Sequence, residues 1–218
     1  MKDLFKGSLT LANFVTLTRI LILPLFVYFF YQEKMLYAVL VLCFSGFTDY
    51  LDGTIARRFN QVSELGKVLD PVADKLTQIT IAVMLFLEFH KAQNEILRVF
   101  SWVFLFFLVK EGVMVIGGGL MILMGLRPGA AEIFGKVATF VFYATMSLII
   151  AFGPEVGAFV RNKENPILIL PDWALIIMVV ITAALTLIAF LSYMPETFRQ
   201  FRGWAQEKKK SNEDKANR

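Results

Sequence analysis

Six long runs of apolar residues dominate this chain of 218 residues. A helix that crosses the hydrocarbon core of a bilayer needs about 20 consecutive, mostly apolar residues. Hydrophobic residues make up 57% of the chain, against roughly 45–50% in an ordinary soluble domain. We therefore predict an all-α integral membrane protein with six transmembrane helices. The predicted helices cover residues 14–31, 35–57, 67–89, 97–125, 134–153 and 168–193.

The two ends of the chain are more polar than the runs between them. Residues 1–12 are mixed in character, and we expect no cleavable signal peptide and a short surface helix over residues 2–10. From residue 196 the chain is polar and basic, which predicts a cytoplasmic tail that faces water or anionic lipid rather than nucleic acid. We accordingly divide the chain into a membrane domain, 1–195, and a tail, 196–218.

Positive charges predict the orientation, because short loops rich in Lys and Arg stay in the cytoplasm. With six spans, 16 Lys and Arg residues fall on the side of both termini and five on the other side. We expect both termini, and the loops at 57–67 and 126–136, to lie in the cytoplasm, with the protein in the cell membrane. Arg19, in the first span, is interpreted as one of these positive-inside anchors.

Four aspartates interrupt the second and third apolar runs. The second run ends in FTDYLDGTIARR, with Asp49 and Asp52, and the third begins GKVLDPVADK, with Asp70 and Asp74. On helices the members of the two pairs lie about 60° and about 40° apart, and a short loop brings both pairs to a similar depth. Each carboxylate buried in a membrane costs roughly 2.5–3.5 kcal/mol, so we expect cations to neutralise them.

The ligand chemistry of this acidic group favours a hard divalent cation. Oxygen ligands without neighbouring His or Cys suit Mg²⁺, Mn²⁺ or Ca²⁺ better than zinc. Four carboxylates suit two metal ions about 3.5–4 Å apart, an arrangement used in phosphoryl chemistry. Gly53 and Gly66 leave room for a ligand near the backbone, and Arg57 supplies a forked donor for phosphate. The alternative from a different functional class is a cation or proton transporter with an intramembrane carboxylate site.

The spacing D-x2-D-G-x2-A-R-x8-G-x3-D-x3-D, over residues 49–74, resembles the motif of the CDP-alcohol phosphatidyltransferases at every fixed position. The resemblance implies a homodimeric membrane enzyme that transfers a phosphatidyl group from CDP-diacylglycerol to an alcohol and releases CMP. It implies Mg²⁺ or Mn²⁺ at a two-metal site, with Asp74 also acting as general base. The implied metal ligands are Asp49, Asp52, Asp70 and Asp74. The implied contacts to CDP-diacylglycerol are Asn13, Thr16, Gly53, Ala56, Arg57, Ser63 and Gly66.

Basic residues in the later spans bear on the acceptor alcohol. Lys110-Glu111 lies inside the fourth span, and Lys136 follows Gly135 at the start of the fifth. Bacterial phosphatidylglycerophosphate synthases have a basic–acidic pair and a Gly-Lys at similar places. This resemblance implies sn-glycerol 3-phosphate as acceptor, with its phosphate bound by Lys110 and Lys136. Cardiolipin synthesis, and transfer to inositol phosphate or serine, stay open, as does a plain ion pair for Lys110-Glu111.

Overall fold

Seven helices form the regular structure of the residues that the computed structural model describes, which are 11–58, 64–126, 133–160 and 168–216. They are α1 (Leu11–Tyr31), α2 (Met35–Arg58), α3 (Glu64–His90), α4 (Glu95–Phe100), α5 (Trp102–Leu123), α6 (Ile133–Phe152) and α7 (Asp172–Ala216). Those ranges contain no strand, so the all-α prediction is confirmed for them. The surface helix expected over residues 2–10 lies outside the described residues.

The fourth predicted span is formed by two consecutive helices, α4 and α5, which meet at Ser101. Asn94 caps α4, because its side-chain oxygen accepts a hydrogen bond from the backbone N–H of Ile96 at 2.9 Å. The Ser101 hydroxyl donates to the carbonyl oxygen of Arg98 at 2.7 Å, which supplies a hydrogen bond to a carbonyl in the last turn of α4. Four other predicted spans coincide with α1, α2, α3 and α6, with small shifts at the ends, and the sixth lies mostly within the longer α7.

The helices have the composition and exterior of a membrane protein. Large apolar side chains cover the outside of the bundle, including Leu123 at 84% exposure and Phe140 at 74%, which suits contact with lipid rather than water. Charged side chains make α3 less apolar than α1, α5 and α6. Among the described residues, four segments are long and apolar enough to cross a membrane, and one apolar segment is shorter. The four are Asn13–Tyr31, Glu95–Leu123, Phe134–Phe152 and Asp172–Gln206, and the shorter one is Met35–Thr48.

Helix α7 is continuous over 45 residues and passes through Pro195 without ending there. At 1.5 Å per residue it is about 67 Å long, more than twice the hydrocarbon thickness of about 30 Å. Its polar C-terminal part therefore extends beyond the bilayer. The boundary that we predict after residue 195 falls inside this helix, and the division into domain and tail stays a prediction.

The packing separates an aromatic end of the bundle from a polar end. Helix α1 packs against α2 and α3, α3 packs against α5, and α6 packs against α7. Near the C-terminal end of α3, the rings of Phe89 and Phe104 stack with centroids 5.6 Å apart. Further along α5, Phe107 meets Phe142 edge to face at 5.3 Å. The buried charged side chains of the described residues, Arg19 of α1 and Glu111 of α5, pair with residues in the N-terminal half of α3.

Candidate active site

One face of α1 is polar and buried near the start of the helix. Asn13, Thr16 and Arg19 recur every three residues, so their side chains leave the helix on nearly the same side. They are 7%, 0% and 2% exposed. Burial of polar groups is costly unless they find polar partners. Helix α3 supplies such partners.

Two side-chain contacts join this face of α1 to α3. The Thr16 hydroxyl donates a hydrogen bond to the Asp70 carboxylate, with Oγ1 and Oδ1 2.6 Å apart. The Arg19 guanidinium binds the Asp74 carboxylate with an N–O distance of 2.6 Å. The two aspartates lie one turn apart on α3, so each meets a different turn of α1. We call Thr16, Arg19, Asp70 and Asp74 the carboxylate cluster.

The interpretation of Arg19 as a positive-inside anchor is wrong. Its side chain is 1% exposed and pairs with Asp74, whose side chain retains 31% exposure. The positive-inside rule counts charges near the ends of spans and carries no information about which helix face they occupy. The signal that identifies Arg19 is its three-residue spacing from Thr16, which places it on the face that meets α3.

Five residues of the motif lie at the C-terminal end of α2. The backbone of α2 is helical without interruption to Arg58, so the three-residue spacing of Asp49 and Asp52 is helical, as predicted. The side chains of these five residues, and the whole of Ser63, lie outside what the structure describes. Gly66 is buried in the first turns of α3. The five residues are Asp49, Asp52, Gly53, Ala56 and Arg57.

The described carboxylates fit part of a divalent-metal site. Asp70 is exposed and Asp74 is partly exposed, so hard oxygen donors on successive turns of α3 remain accessible. Within the described part of the chain, no three His, Cys, Asp or Glu side chains lie close enough together to hold a metal ion. A four-carboxylate site therefore depends on Asp49 and Asp52 of α2.

A second group of charged side chains joins α3 to α5. Lys75 Nζ lies 2.6 Å from Glu111 Oε2, and Lys110 pairs with the other carboxylate oxygen of Glu111. Glu111 is 3% exposed, so both contacts are shielded from solvent. Two ammonium groups share one carboxylate, so the formal charges of the three side chains sum to +1. We call Lys75, Lys110 and Glu111 the lysine cluster.

The lysine cluster lines a cavity of about 40 Å³ between α3, α5, α6 and α7. A single water needs roughly 10–15 Å³ measured in this way, so the cavity has room for about three. Lys75 directly follows Asp74 in the chain, and their Cα atoms are therefore about 3.8 Å apart. Consecutive helical residues point about 100° apart, so the cavity and the carboxylate cluster lie on adjoining faces of the same turn of α3. Other polar residues that line it are Gln78, Thr139, Thr186 and Tyr193.

The two lysines that the resemblance assigns to the acceptor occupy different positions. Lys110 lines the cavity, and its side chain is 11% exposed. Lys136 is exposed on α6 and is not part of the lining, although its neighbour Gly135 is. From the sequence alone, Lys75 is only one of the 16 basic residues counted on the side of both termini, and no role in the site is predicted for it. Its position directly after Asp74, on the helix that carries both aspartates, is the signal for its place in the site.

The two clusters together can bind groups of opposite charge side by side. The carboxylate cluster carries two aspartates and one arginine, and its excess negative charge suits a cation. The lysine cluster has excess positive charge and suits an anion such as a phosphate. A metal-bound nucleotide and a phosphorylated small molecule could therefore meet where Asp74 and Lys75 adjoin.

Comparisons with known proteins agree with this chemistry. A family model described as CDP-alcohol phosphatidyltransferase matches residues 9–188, which is most of the chain. Similar curated proteins include a CMP-forming cardiolipin synthase of Streptomyces coelicolor, 35% identical over 152 residues that cover 66% of this chain and 67% of the relative. A CDP-diacylglycerol–glycerol-3-phosphate 3-phosphatidyltransferase of Aquifex aeolicus is 27% identical over 191 residues, 88% of this chain and 97% of that protein.

A shorter alignment with a third protein supports the same family. A protein of Blochmanniella floridana with the same name as the Aquifex aeolicus relative is 36% identical over 89 residues, which cover 39% of this chain and 47% of that protein. The family model spans the motif at residues 49–74 and also the helices that build the cavity as far as residue 188. The resemblance carried by the motif is therefore confirmed, and this chain belongs to the CDP-alcohol phosphatidyltransferase family.

Proposed function

We propose that this chain transfers the phosphatidyl group of CDP-diacylglycerol to sn-glycerol 3-phosphate, giving phosphatidylglycerophosphate and CMP. The observation that carries the proposal is the direct succession of Asp74 and Lys75. It places a carboxylate that can accept a proton beside a cavity whose charge suits a phosphate. The name of the Aquifex aeolicus relative, which aligns over nearly its whole length, supports this acceptor.

In the proposed reaction Asp74 is the general base. The acceptor hydroxyl gives its proton to the Asp74 carboxylate, and its oxygen attacks the phosphorus that carries diacylglycerol. The new P–O bond forms, the bond from that phosphorus to the CMP oxygen breaks, and CMP leaves. Arg19 holds the Asp74 carboxylate in place, and Thr16 does the same for Asp70. A bound divalent metal would neutralise the charge on the pyrophosphate and on the leaving group.

The residues of the site divide among three roles in this proposal. Asn13 and Thr16 are supported as nucleotide-facing residues because they are buried on the face of α1 that meets Asp70. The metal, Mg²⁺ or Mn²⁺, would be held by Asp49, Asp52, Asp70 and Asp74. CDP-diacylglycerol would be bound by Asn13, Thr16, Gly53, Ala56, Arg57, Ser63 and Gly66. The acceptor phosphate would be bound by Lys110 in the cavity and by Lys136 at its edge.

The proposed topology has six membrane spans, with both termini and the active site on the cytoplasmic face of the cell membrane. Its support is the distribution of Lys and Arg, 16 on one side and five on the other. The lipid chains of CDP-diacylglycerol would stay in the bilayer, while sn-glycerol 3-phosphate would enter from the cytoplasm. We also propose a homodimer, on the resemblance to the family alone.

A second candidate function is CMP-forming cardiolipin synthesis, with phosphatidylglycerol as acceptor. The relative from Streptomyces coelicolor, 35% identical, favours it. The two lysines in the lining of the cavity suit the phosphate of the smaller, soluble acceptor. Family membership favours a transferase over a cation or proton transporter, and the family model spans all four aspartates.

The test is CMP release by the purified protein with CDP-diacylglycerol and Mg²⁺ or Mn²⁺. The acceptor panel contains sn-glycerol 3-phosphate, phosphatidylglycerol, inositol 1-phosphate, myo-inositol and serine. We expect release to require sn-glycerol 3-phosphate and to stop when a chelator removes the metal. Release that depends on phosphatidylglycerol would instead establish the second candidate. No release with any acceptor would contradict both.

A further inference from the structure

Two buried polar atoms in the cavity have no hydrogen-bond partner within the described part of the chain. They are Oε1 of Gln78 and Oγ1 of Thr186. The two residues are 3% and 4% exposed, and both line the cavity beside the lysine cluster. Buried polar atoms are nearly always paired, so each exception needs an explanation. A bound molecule that completes the hydrogen bonds is one.

Thr186 differs in this respect from the other buried threonines of the described residues. On the same helix, one turn earlier, Thr182 pairs with the Thr145 hydroxyl at 2.9 Å and also donates to the carbonyl of Met178 at 2.8 Å. Thr77, on α3 beside Gln78, donates to the carbonyl of Ala73 at 2.9 Å. The bundle therefore satisfies buried hydroxyls where packing allows it. Gln78 Oε1 and Thr186 Oγ1 are left without a partner among the described residues, and both belong to residues that line the cavity.

The chemistry of the two atoms is complementary to a single alcohol group. An amide oxygen can only accept a hydrogen bond, whereas a threonine hydroxyl can donate one. An alcohol on a ligand can donate to Gln78 and accept from Thr186 at the same time. The lysine cluster alongside would bind a phosphate on the same ligand.

We propose that Gln78 and Thr186 determine acceptor specificity by hydrogen-bonding the acceptor hydroxyl that neither carries the phosphate nor attacks. This inference rests on the proposed function. For sn-glycerol 3-phosphate the recognised group is the hydroxyl on the middle carbon. An acceptor that lacks this hydroxyl leaves both protein atoms unpaired in the complex, which is the condition under which a polar site discriminates most strongly.

The experiment compares sn-glycerol 3-phosphate with 3-hydroxypropyl phosphate, which lacks the middle hydroxyl but keeps the phosphate and the attacking alcohol. We expect the wild-type protein to prefer sn-glycerol 3-phosphate by at least about tenfold in kcat/KM. In Thr186→Val and Gln78→Leu the preference falls toward one, while the KM for CDP-diacylglycerol stays unchanged. Thr186→Ser restores the hydroxyl and the preference. Thr197→Val is the matched control, because that hydroxyl bonds to the carbonyl of Tyr193 on its own helix.

The outcomes separate this inference from the function on which it rests. The assignment of Gln78 and Thr186 would be overturned if the wild-type protein used both acceptors equally well, or if the variants kept the full preference. Either result would leave the proposed transferase activity unaffected. A wild-type protein that releases no CMP with sn-glycerol 3-phosphate would overturn the proposed function and this inference together. If Gln78→Leu does not fold, the comparison of Thr186→Val with Thr186→Ser decides.

Discussion

The carboxylate cluster joins two helices, α1 and α3, through one hydrogen bond and one ion pair. The lysine cluster and its cavity draw on four helices, from Lys75 on α3 to Tyr193 on α7. In the first cluster, each aspartate meets its own partner and retains solvent exposure. In the second, two lysines share the buried Glu111. The carboxylate cluster therefore keeps accessible oxygen donors, whereas the cavity keeps excess positive charge and two unpaired polar atoms.

This difference suggests that the two regions do separate tasks. The carboxylate cluster suits the chemistry that all acceptors would share, namely metal binding and proton transfer. The cavity suits the selection of one acceptor. Changes in the carboxylate cluster should accordingly lower turnover with any acceptor, and changes in the cavity should act mainly on the acceptor KM. The following predictions test this division.

The largest effect is expected from Asp74→Asn. Loss of a general base lowers the rate by about 10²–10⁴-fold, and the amide is close to the same size, so the protein should remain folded. The measurement is kcat for CMP release with saturating CDP-diacylglycerol and acceptor. Glu196→Gln is the matched control, since the partners of this carboxylate among the described residues, Arg199 and Gln200, lie on its own helix. Near-wild-type turnover by Asp74→Asn would refute its assignment as base.

Arg19→Met should destabilise the protein as well as lower its activity. The substitution leaves the Asp74 carboxylate without its guanidinium partner, and breaking a buried pair costs roughly 3–5 kcal/mol. Because Asp74 is partly exposed, we expect about 3 kcal/mol, measured by thermal unfolding in detergent with chelator present. The control Arg199→Met removes an arginine that is 80% exposed and paired with Glu196. It should change the stability by less than about 1 kcal/mol. Equal effects of the two substitutions would contradict the role of the buried pair.

Lys110→Met should raise the acceptor KM by about 10- to 100-fold and leave the KM for CDP-diacylglycerol nearly unchanged. Lys136 is exposed, and an exposed charge contributes little, so Lys136→Ala should raise the acceptor KM only about twofold. Lys91→Met, directly after the C-terminal end of α3, is the control. Initial rates at varied sn-glycerol 3-phosphate give all three values. A larger effect at Lys136 than at Lys110 would place the phosphate outside the cavity.

Thr16→Val should have the smallest effect in the carboxylate cluster. The valine keeps the shape of the side chain but removes the hydrogen bond to Asp70, and a bond to a charged group is worth about tenfold in kcat/KM for CDP-diacylglycerol. Thr18→Val is the matched control on the same helix, because that hydroxyl bonds to the carbonyl of Phe14 at 2.8 Å. If the effect of Thr16→Val on kcat/KM depended on the acceptor, the result would contradict the separate tasks proposed for the two regions.

Local patterns in the chain are enough to predict most of the helices, the motif and the family. Runs of about 20 apolar residues leave few alternatives to helices in a bilayer, where every backbone polar group must be paired internally. The spacing of Asp70 and Asp74 placed both on one side of α3, because side chains four residues apart lie on the same face. These are local properties of the chain, and they can be inferred without knowing which helices are neighbours.

The identity of neighbouring helices, and the side chains that their contacts bury, can be seen only in the packed bundle. Arg19 and Asp74 are 55 positions apart, and nothing local shows that they pair. Lys75 and Glu111 meet across α3 and α5, and Gln78 and Thr186 line the same cavity from helices more than 100 positions apart. The sequence alone does not distinguish a charged residue that faces lipid headgroups from one that faces a partner helix or a cavity. The packing of the bundle distinguishes these cases, because it sets the solvent exposure and the partners of each side chain.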